Sequence, residues 1–272
     1  MTDSWLRLDH AGMRWRVRPD AEARVREREW RRPASGGAGL RIVQSWGSRV
    51  SAVWEGAAAD GGDLFVKWYG LRHFGEALRF VVTPSRPAAE WRMNRALAAA
   101  GIPVVECLAL GERWAGGLWR GGVLILKAVT PPLTLSAFLR TAPEAEARRA
   151  VELAADLVVR FHAQGFCHHD LHGDNLLVQR HDGQLDRLLL TDLHEGTRHR
   201  SLSRGRWVGD LARLNAYTPA GGHLRLRFWR RYAAGRGWTR AQDHDWIRTI
   251  DRETRALWAR HFKKRGTSIE LY

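Results

Sequence analysis

Between residues 143 and 165 the apolar positions Val151, Ala154, Leu157, Val158 and Phe161 recur at helical spacing and form one stripe. Pro143 suits a first turn, Glu144 and Glu146 complement the positive helix start, and Gly165 suits its end. Upstream the pattern is different. Short runs rich in β-branched and aromatic residues predict strands over 40–46, 50–56, 64–69, 104–111 and 122–129. They are parted by turn text such as Gly47-Ser48 and the Gly/Asp-rich stretch 57–63. One helix is expected among them, 88–101, where Ala, Leu, Met and Arg dominate and Gly101 and Pro103 mark the stop. Beyond Gly165 come a loop, a small hairpin from 176–179 and 185–191, and helices over 207–217, 223–234 and 239–262.

This order predicts an α+β fold of two lobes, a small β-rich N-lobe and a larger α-helical C-lobe. Residues 40–130 form the first, with a sheet and one helix. Residues 131–272, after the proline-marked hinge Pro131-Pro132, form the second. A ligand is expected in the cleft between two such lobes. Residues 1–39, Arg-rich and ending in 33-PASGGAG-39, read as a basic N-terminal extension.

Composition narrows the partners. Lys and Arg number 44 against 29 Asp and Glu, a net charge of +15, so the surface attracts polyanions. No nucleic-acid motif accompanies the charge, and no nucleic-acid partner is expected. Cys107 and Cys167 are too few and too isolated for a disulfide framework or a thiolate metal site, which fits a reducing, cytoplasmic setting. The first twenty residues carry no apolar signal core, and the run 122-GVLILKAV-129 is too short to span a bilayer. A soluble or peripheral protein is expected. Fourteen Trp and the mixed basic and aromatic stretch 224-LRLRFWRRYAAGRGW-238 make that stretch the candidate contact with an anionic membrane surface, beside the plainer reading of an ordinary helix whose Arg are solvated and whose Trp is core.

The chemistry concentrates in 166-FCHHDLHGDNLLVQ-179, which carries H-x-D-x-x-x-x-N through His168, Asp170 and Asn175. Phosphoryl transfer to a hydroxyl needs a carboxylate to orient the acceptor and take its proton, and an amide oxygen nearby to hold Mg²⁺. Asp170 and Asn175 supply these. Asp192 ends the returning strand in 188-LLLTDLHEG-196 and can bridge ATP phosphates through Mg²⁺. Lys67 sits in the apolar strand 64-LFVKWYG-70 and wants a partner. Glu90, the one acidic residue of 88–101, is the candidate, in the manner of the kinase Lys–Glu pair that holds ATP phosphates. His168 braces the loop backbone, and His172 supports Asp192 or contacts substrate. Gly47 and Ser48 stand where a phosphate-cradling turn is expected, although a single glycine replaces G-x-G-x-x-G. Each residue alone has a plainer role: an edge charge for Lys67, turn caps for Asp170 and Asp192, a solvated helix charge for Glu90. Their joint order, with the right elements between them, favours the chemical reading.

At 64-LFVKWYG-70, 90-EWRMNRALAAAGIPV-104, 168-HHDLHGDNLLV-178, 190-LTDLHEG-196 and 207-WVGDLARL-214 the chain resembles the Kdo/heptose lipopolysaccharide kinase family, a branch of the protein-kinase-like superfamily. The resemblance implies a protein-kinase-like fold and ATP- and Mg²⁺-dependent transfer to a sugar hydroxyl of Kdo or heptose in a glycolipid, at the inner face of the cytoplasmic membrane. It gives Asp170 as base, Asn175 and Asp192 as metal ligands, and Lys67 with Glu90 on the ATP phosphates. Asp210 would brace the catalytic loop. His169 replaces the Arg of H-R-D, and only 17 residues separate Asp192 from Asp210, which leaves little room for a peptide-binding platform and argues against a protein substrate. Two rival readings stand beside it. One is a small-molecule kinase of the aminoglycoside or choline type, to which the loop is also similar. The other is a catalytically inactive kinase-like binding module.

Overall fold

The computed structural model describes residues 4–31, 33 and 39–265. The chain divides into two compact units, one holding the described residues to Arg95 together with Val105–Thr130, the other Ala96–Val104 and the residues from Pro131 onward.

The first unit is built on a seven-stranded antiparallel sheet. Its strands are β1 (Leu6–His10), β2 (Met13–Val17), β3 (Leu40–Trp46), β4 (Arg49–Trp54), β5 (Leu64–Tyr69), β6 (Cys107–Ala115) and β7 (Leu118–Lys127), in the order β1-β2-β6-β7-β5-β4-β3. The central strands β4 and β5 are buried along nearly their whole length, while the edges β1 and β3 stay largely exposed and carry Arg7 and Arg41. Charged edge residues discourage pairing with another chain. Three helices accompany the sheet: α1 (Glu22–Arg26), α2 (Phe74–Val82) and α3 (Arg86–Ala99).

The basic N-terminal stretch contributes two strands, β1 and β2, to this sheet. Met13, Trp15 and Val17 are buried while Arg14 is exposed, the alternation of a strand with one face on the core. Strand β2 pairs with β6 in the register Arg14↔Glu112 to Val17↔Ala109. Trp15 lies flat over Gly111, where a Cβ would stand 2.8 Å from the indole, so only glycine admits the ring. Trp30 continues the core, edge-on to Trp15 at 5.1 Å and Trp54 at 5.9 Å. Trp5 meets Trp91 of α3 at 5.2 Å, with the Arg95 guanidinium over both rings.

The second unit holds α4 (Leu135–Thr141), α5 (Glu144–Ala163), α6 (Arg204–Tyr217), α7 (Gly222–Gly235) and α8 (Arg240–Arg265). Two small ribbons join them: β8 (Phe166–Cys167) pairs with β11 (Thr197–Arg198), and β9 (Leu176–His181) with β10 (Gln184–Leu190). Thr134 caps α4 by accepting the Ala137 N–H at 3.1 Å. The stripe of α5 is buried as its spacing predicts, from Val151 to Phe161.

The stretch 224–238 has one buried side, while Leu226, Arg230 and Arg231 stay exposed on the other. Leu224 and Tyr232 are buried, Trp229 donates to Asp243, and Trp238 stacks on Trp246 at 5.3 Å. Trp207 joins that cluster, 4.0 Å from Trp246. Arg227 pairs with Glu152, and Arg231 makes a two-pronged contact with Asp156 on α5. Seven of the fourteen Trp, among them Trp15, Trp30 and Trp207, are buried, while Trp46 is exposed. Among the described residues no helix is long and apolar enough to cross a membrane.

Candidate active site

In the first unit, β5 carries Lys67 and Tyr69 two residues apart, so both side chains leave the same face of the sheet. Both meet Glu90 of α3. Lys67 Nζ donates to Glu90 Oε1 at 2.6 Å and Tyr69 OH to Oε2 at 2.6 Å. Lys67 is 4% exposed and Glu90 2%, so a charge pair is held away from water. Burial makes such a pair costly unless its oxygens are satisfied, which Tyr69 helps to do. Gly47 turns β3 into β4 with φ +47°. Ser48 is tied down by its neighbours: its hydroxyl accepts from Arg86 Nη2 at 3.1 Å and its carbonyl from the Gly70 amide at 2.6 Å.

In the second unit the catalytic-loop pattern follows β8. Asp210 of α6, fully buried, accepts the backbone N–H of His168 at 2.7 Å and of His169 at 2.8 Å. His162 of α5 stands behind it, Nε2 3.4 Å from Asp210 Oδ2 and Nδ1 2.8 Å from the Tyr232 hydroxyl. Burial pushes the Asp210 carboxyl up, but the His162 hydrogen bond and charge and the His168 amide outweigh it and hold it below its ordinary value. His168 ties the loop to the next segment, its Nε2 3.0 Å from the Thr191 carbonyl. His169 adopts φ +65°, a conformation costly for a side chain with a Cβ, and its Nε2 lies 2.7 Å from Thr197 Oγ1.

These restraints present Asp170, half-exposed, beside His172 at 3.6 Å. His172 holds the Asp170 carboxyl below its ordinary range, against burial, which pushes it up. Burial lowers the His172 imidazole, but Asp170 first, then Asp174 and Asp192, raise it on balance. Asn175 closes the loop: its Nδ2 donates to the Asp170 carbonyl at 2.8 Å and lies 3.1 Å from His172 Nε2. The turn between them needs Gly173, where a Cβ would meet Ser136 Oγ at 2.5 Å and Thr218 Cγ2 at 2.9 Å. Asp192 ends β10 in the left-handed region, φ +56°, and His194 Nδ1 lies 3.1 Å from its Oδ1.

Comparison with known proteins gives the family. The sequence model of the lipopolysaccharide kinase (Kdo/WaaP) family matches residues 49–249. The chain belongs to the lipopolysaccharide kinase (Kdo/WaaP) family. No curated protein matches the chain significantly. A solved structure of WaaP in complex with acyl carrier protein is similar with a TM-score of 0.58 at 22% identity, over 80% of this chain and 90% of that one. That likeness shows a shared fold, mixed α and β with a large antiparallel sheet. Membership makes this Kdo/WaaP-family chain a phosphotransferase and implies ATP use, as kinases typically do with a divalent metal.

The donors of this family member fit such a cation. Asn175 spends its amide nitrogen on the Asp170 carbonyl, which turns Oδ1 the other way, and Asp192 offers a carboxylate steadied by His194. Hard oxygens of this kind suit Mg²⁺. Four residues at these places were not anticipated from the sequence. Tyr69 was legible, since strand alternation puts it on the face of Lys67. His194 lies against Asp192, whose charge also reaches His172, and His162 and Thr197 reach the loop from elements distant in the chain, with no local signal.

Proposed function

We propose that this chain is an ATP- and Mg²⁺-dependent kinase of a sugar hydroxyl, on Kdo or heptose, in the lipopolysaccharide inner core. The proposal takes the chain as a kinase-like fold of two lobes and places it on the inner face of the cytoplasmic membrane, where such a glycolipid is made. The observation that carries it is Asp170, half-exposed and held ionised beside His172, in a loop whose backbone is fixed by Asp210.

The residues act as follows. Asp170 orients the acceptor hydroxyl and takes its proton as the oxygen attacks phosphorus. Lys67, set by Glu90 and Tyr69, neutralises phosphate charge on the nucleotide. Asn175 and Asp192 would hold the metal, which would offset the charge on the phosphate oxygens. Gly47 and Ser48 form the turn nearest in role to a phosphate loop, with Arg86 fixing the serine. His168 and Asp210 position the loop.

The neighbour's partner, an acyl carrier protein, is proposed as a partner here as well. The second unit supports it with an apolar cavity of about 300 Å³ walled in part by Leu139, Val151, Leu214 and Phe228, a lining suited to an acyl chain.

The test is transfer of labelled phosphate from ATP to deacylated core oligosaccharide, comparing wild type with Asp170→Asn. Loss of a positioned base should lower turnover about 10²-fold or more while the thermal midpoint stays put. Turnover within a few-fold of wild type would remove Asp170 from the chemistry. Label on an aminoglycoside instead of the core sugar would favour the small-molecule alternative.

A further inference from the structure

Helix α2 has two apolar faces, and only one is covered. Ala77 and Phe80 face the sheet, with Phe80 edge-on to Trp119 at 5.0 Å. On the other side Phe74 is 62% exposed, Leu78 54%, Val81 55% and Val82 85%. Their spacing of four, three and one puts them on one stripe along a helix about 13 Å long. The stripe offers roughly 400 Å² of apolar surface, a size at which an exposed patch calls for a ligand.

The charges around the stripe say which. Arg72, His73 and Arg79 are exposed beside it. Between Asp63 and Glu90 the one carboxylate is Glu76, and it is buried. Arg86, Arg79 and Arg72 approach it at 3.5, 3.7 and 4.0 Å, and it accepts the Arg72 amide at 2.8 Å. The outer surface of 71–84 thus carries cations and hydrocarbon and no exposed carboxylate. Arg86 also holds Ser48, two residues from Trp46, which is 72% exposed. A further large apolar side chain therefore stands on a segment joined through Arg86 of α3 to Glu76 of α2.

We propose that α2 is a membrane-docking helix, lying in the headgroup layer of an anionic bilayer with Phe74, Leu78, Val81 and Val82 among the acyl chains and Arg72 and Arg79 on lipid phosphates. Apolar insertion combined with basic flanks is the physical signature of a helix lying in the interface. The inference rests on the proposed function only in so far as that reading places the substrate in a lipid. It assigns the contact to α2 in place of 224–238.

Vesicle sedimentation of the full chain tests it, with phosphatidylcholine alone and with phosphatidylglycerol added. Wild type should bind the anionic vesicles at least tenfold more tightly, and 0.5 M NaCl should weaken that binding. Leu78→Ser/Val82→Ser should lower the partition coefficient about tenfold or more, with thermal midpoint and turnover on deacylated core oligosaccharide unchanged. Val82→Cys labelled with an environment-sensitive dye should brighten on anionic vesicles. Equal binding by wild type and the double variant, or an unchanged dye signal, would overturn the proposal. So would light scattering that shows a wild-type dimer and a variant monomer, since the stripe would then belong to a second copy. A wild type that binds vesicles but transfers no phosphate would overturn the kinase reading and leave α2 as a docking helix.

Discussion

Replacing Asp210 with Ala should loosen the catalytic loop before it loosens anything else. Asp210 is buried and accepts two backbone amides, His168 N–H at 2.7 Å and His169 N–H at 2.8 Å. Alanine leaves both donors without their acceptor. A buried group left unsatisfied costs about 1–3 kcal/mol, at the upper end where the lost partner is charged, so the pair should cost about 3–5 kcal/mol. That is about two to three and a half powers of ten in a local opening equilibrium. Amide hydrogen exchange in peptides covering 166–171 should therefore accelerate by about 10²-fold or more. Asp210→Asn keeps one oxygen acceptor and should lose roughly half as much. The pH dependence has a definite sign. The carboxyl is held below its ordinary value of 3.8, so its contribution is complete above that pH and disappears as pH falls through the lower, folded value. The gap between wild type and Asp210→Asn should be flat from about pH 8 to 5 and close only below about pH 4. Exchange in 166–171 within twofold of wild type for Asp210→Ala would refute the bracing role.

Glu90→Gln takes the counter-charge from buried Lys67 and should cost about 3–5 kcal/mol, read by urea unfolding, with Lys67→Met/Glu90→Gln recovering part of it. Gly173→Ala forces a Cβ against Ser136 Oγ and Thr218 Cγ2 and should cost about 1–3 kcal/mol by the same assay, with partial rescue by Ser136→Ala. Trp30→Ala empties the centre of the Trp15–Trp30–Trp54 cluster and should cost about 3–5 kcal/mol, with loss of near-ultraviolet circular dichroism.

What could be read from the sequence followed from how locally each feature is encoded. The helix α5 announces itself because its buried stripe and its stop at Gly165 lie within one stretch. The loop from His168 to Asn175 carries its chemistry in eight consecutive residues. Strand β2 was hidden because arginines occupy its outward positions, so residues 1–39 read as a charged tail. Helix α2 was legible but left unread: Phe74, Leu78, Val81 and Val82 recur at helical spacing, within only nine residues between the strand text ending at Tyr69 and the helix text from Ala88. Tryptophan count could not distinguish a membrane belt from a core, since both satisfy an amphipathic ring. The left-handed turns at His169 and Asp192 come from tertiary restraint on residues that would rarely choose them alone.

The pairing of β2 with β6 has a consequence for biosynthesis. A nascent chain leaving the ribosome exposes Met13, Trp15 and Val17 early, yet their partner strand, ending at Ala115, emerges roughly ninety residues later. Until then β2 can pair only with β1 and its apolar side chains lack their core, and a chaperone that shields this hairpin during synthesis should raise the yield more than one acting after release.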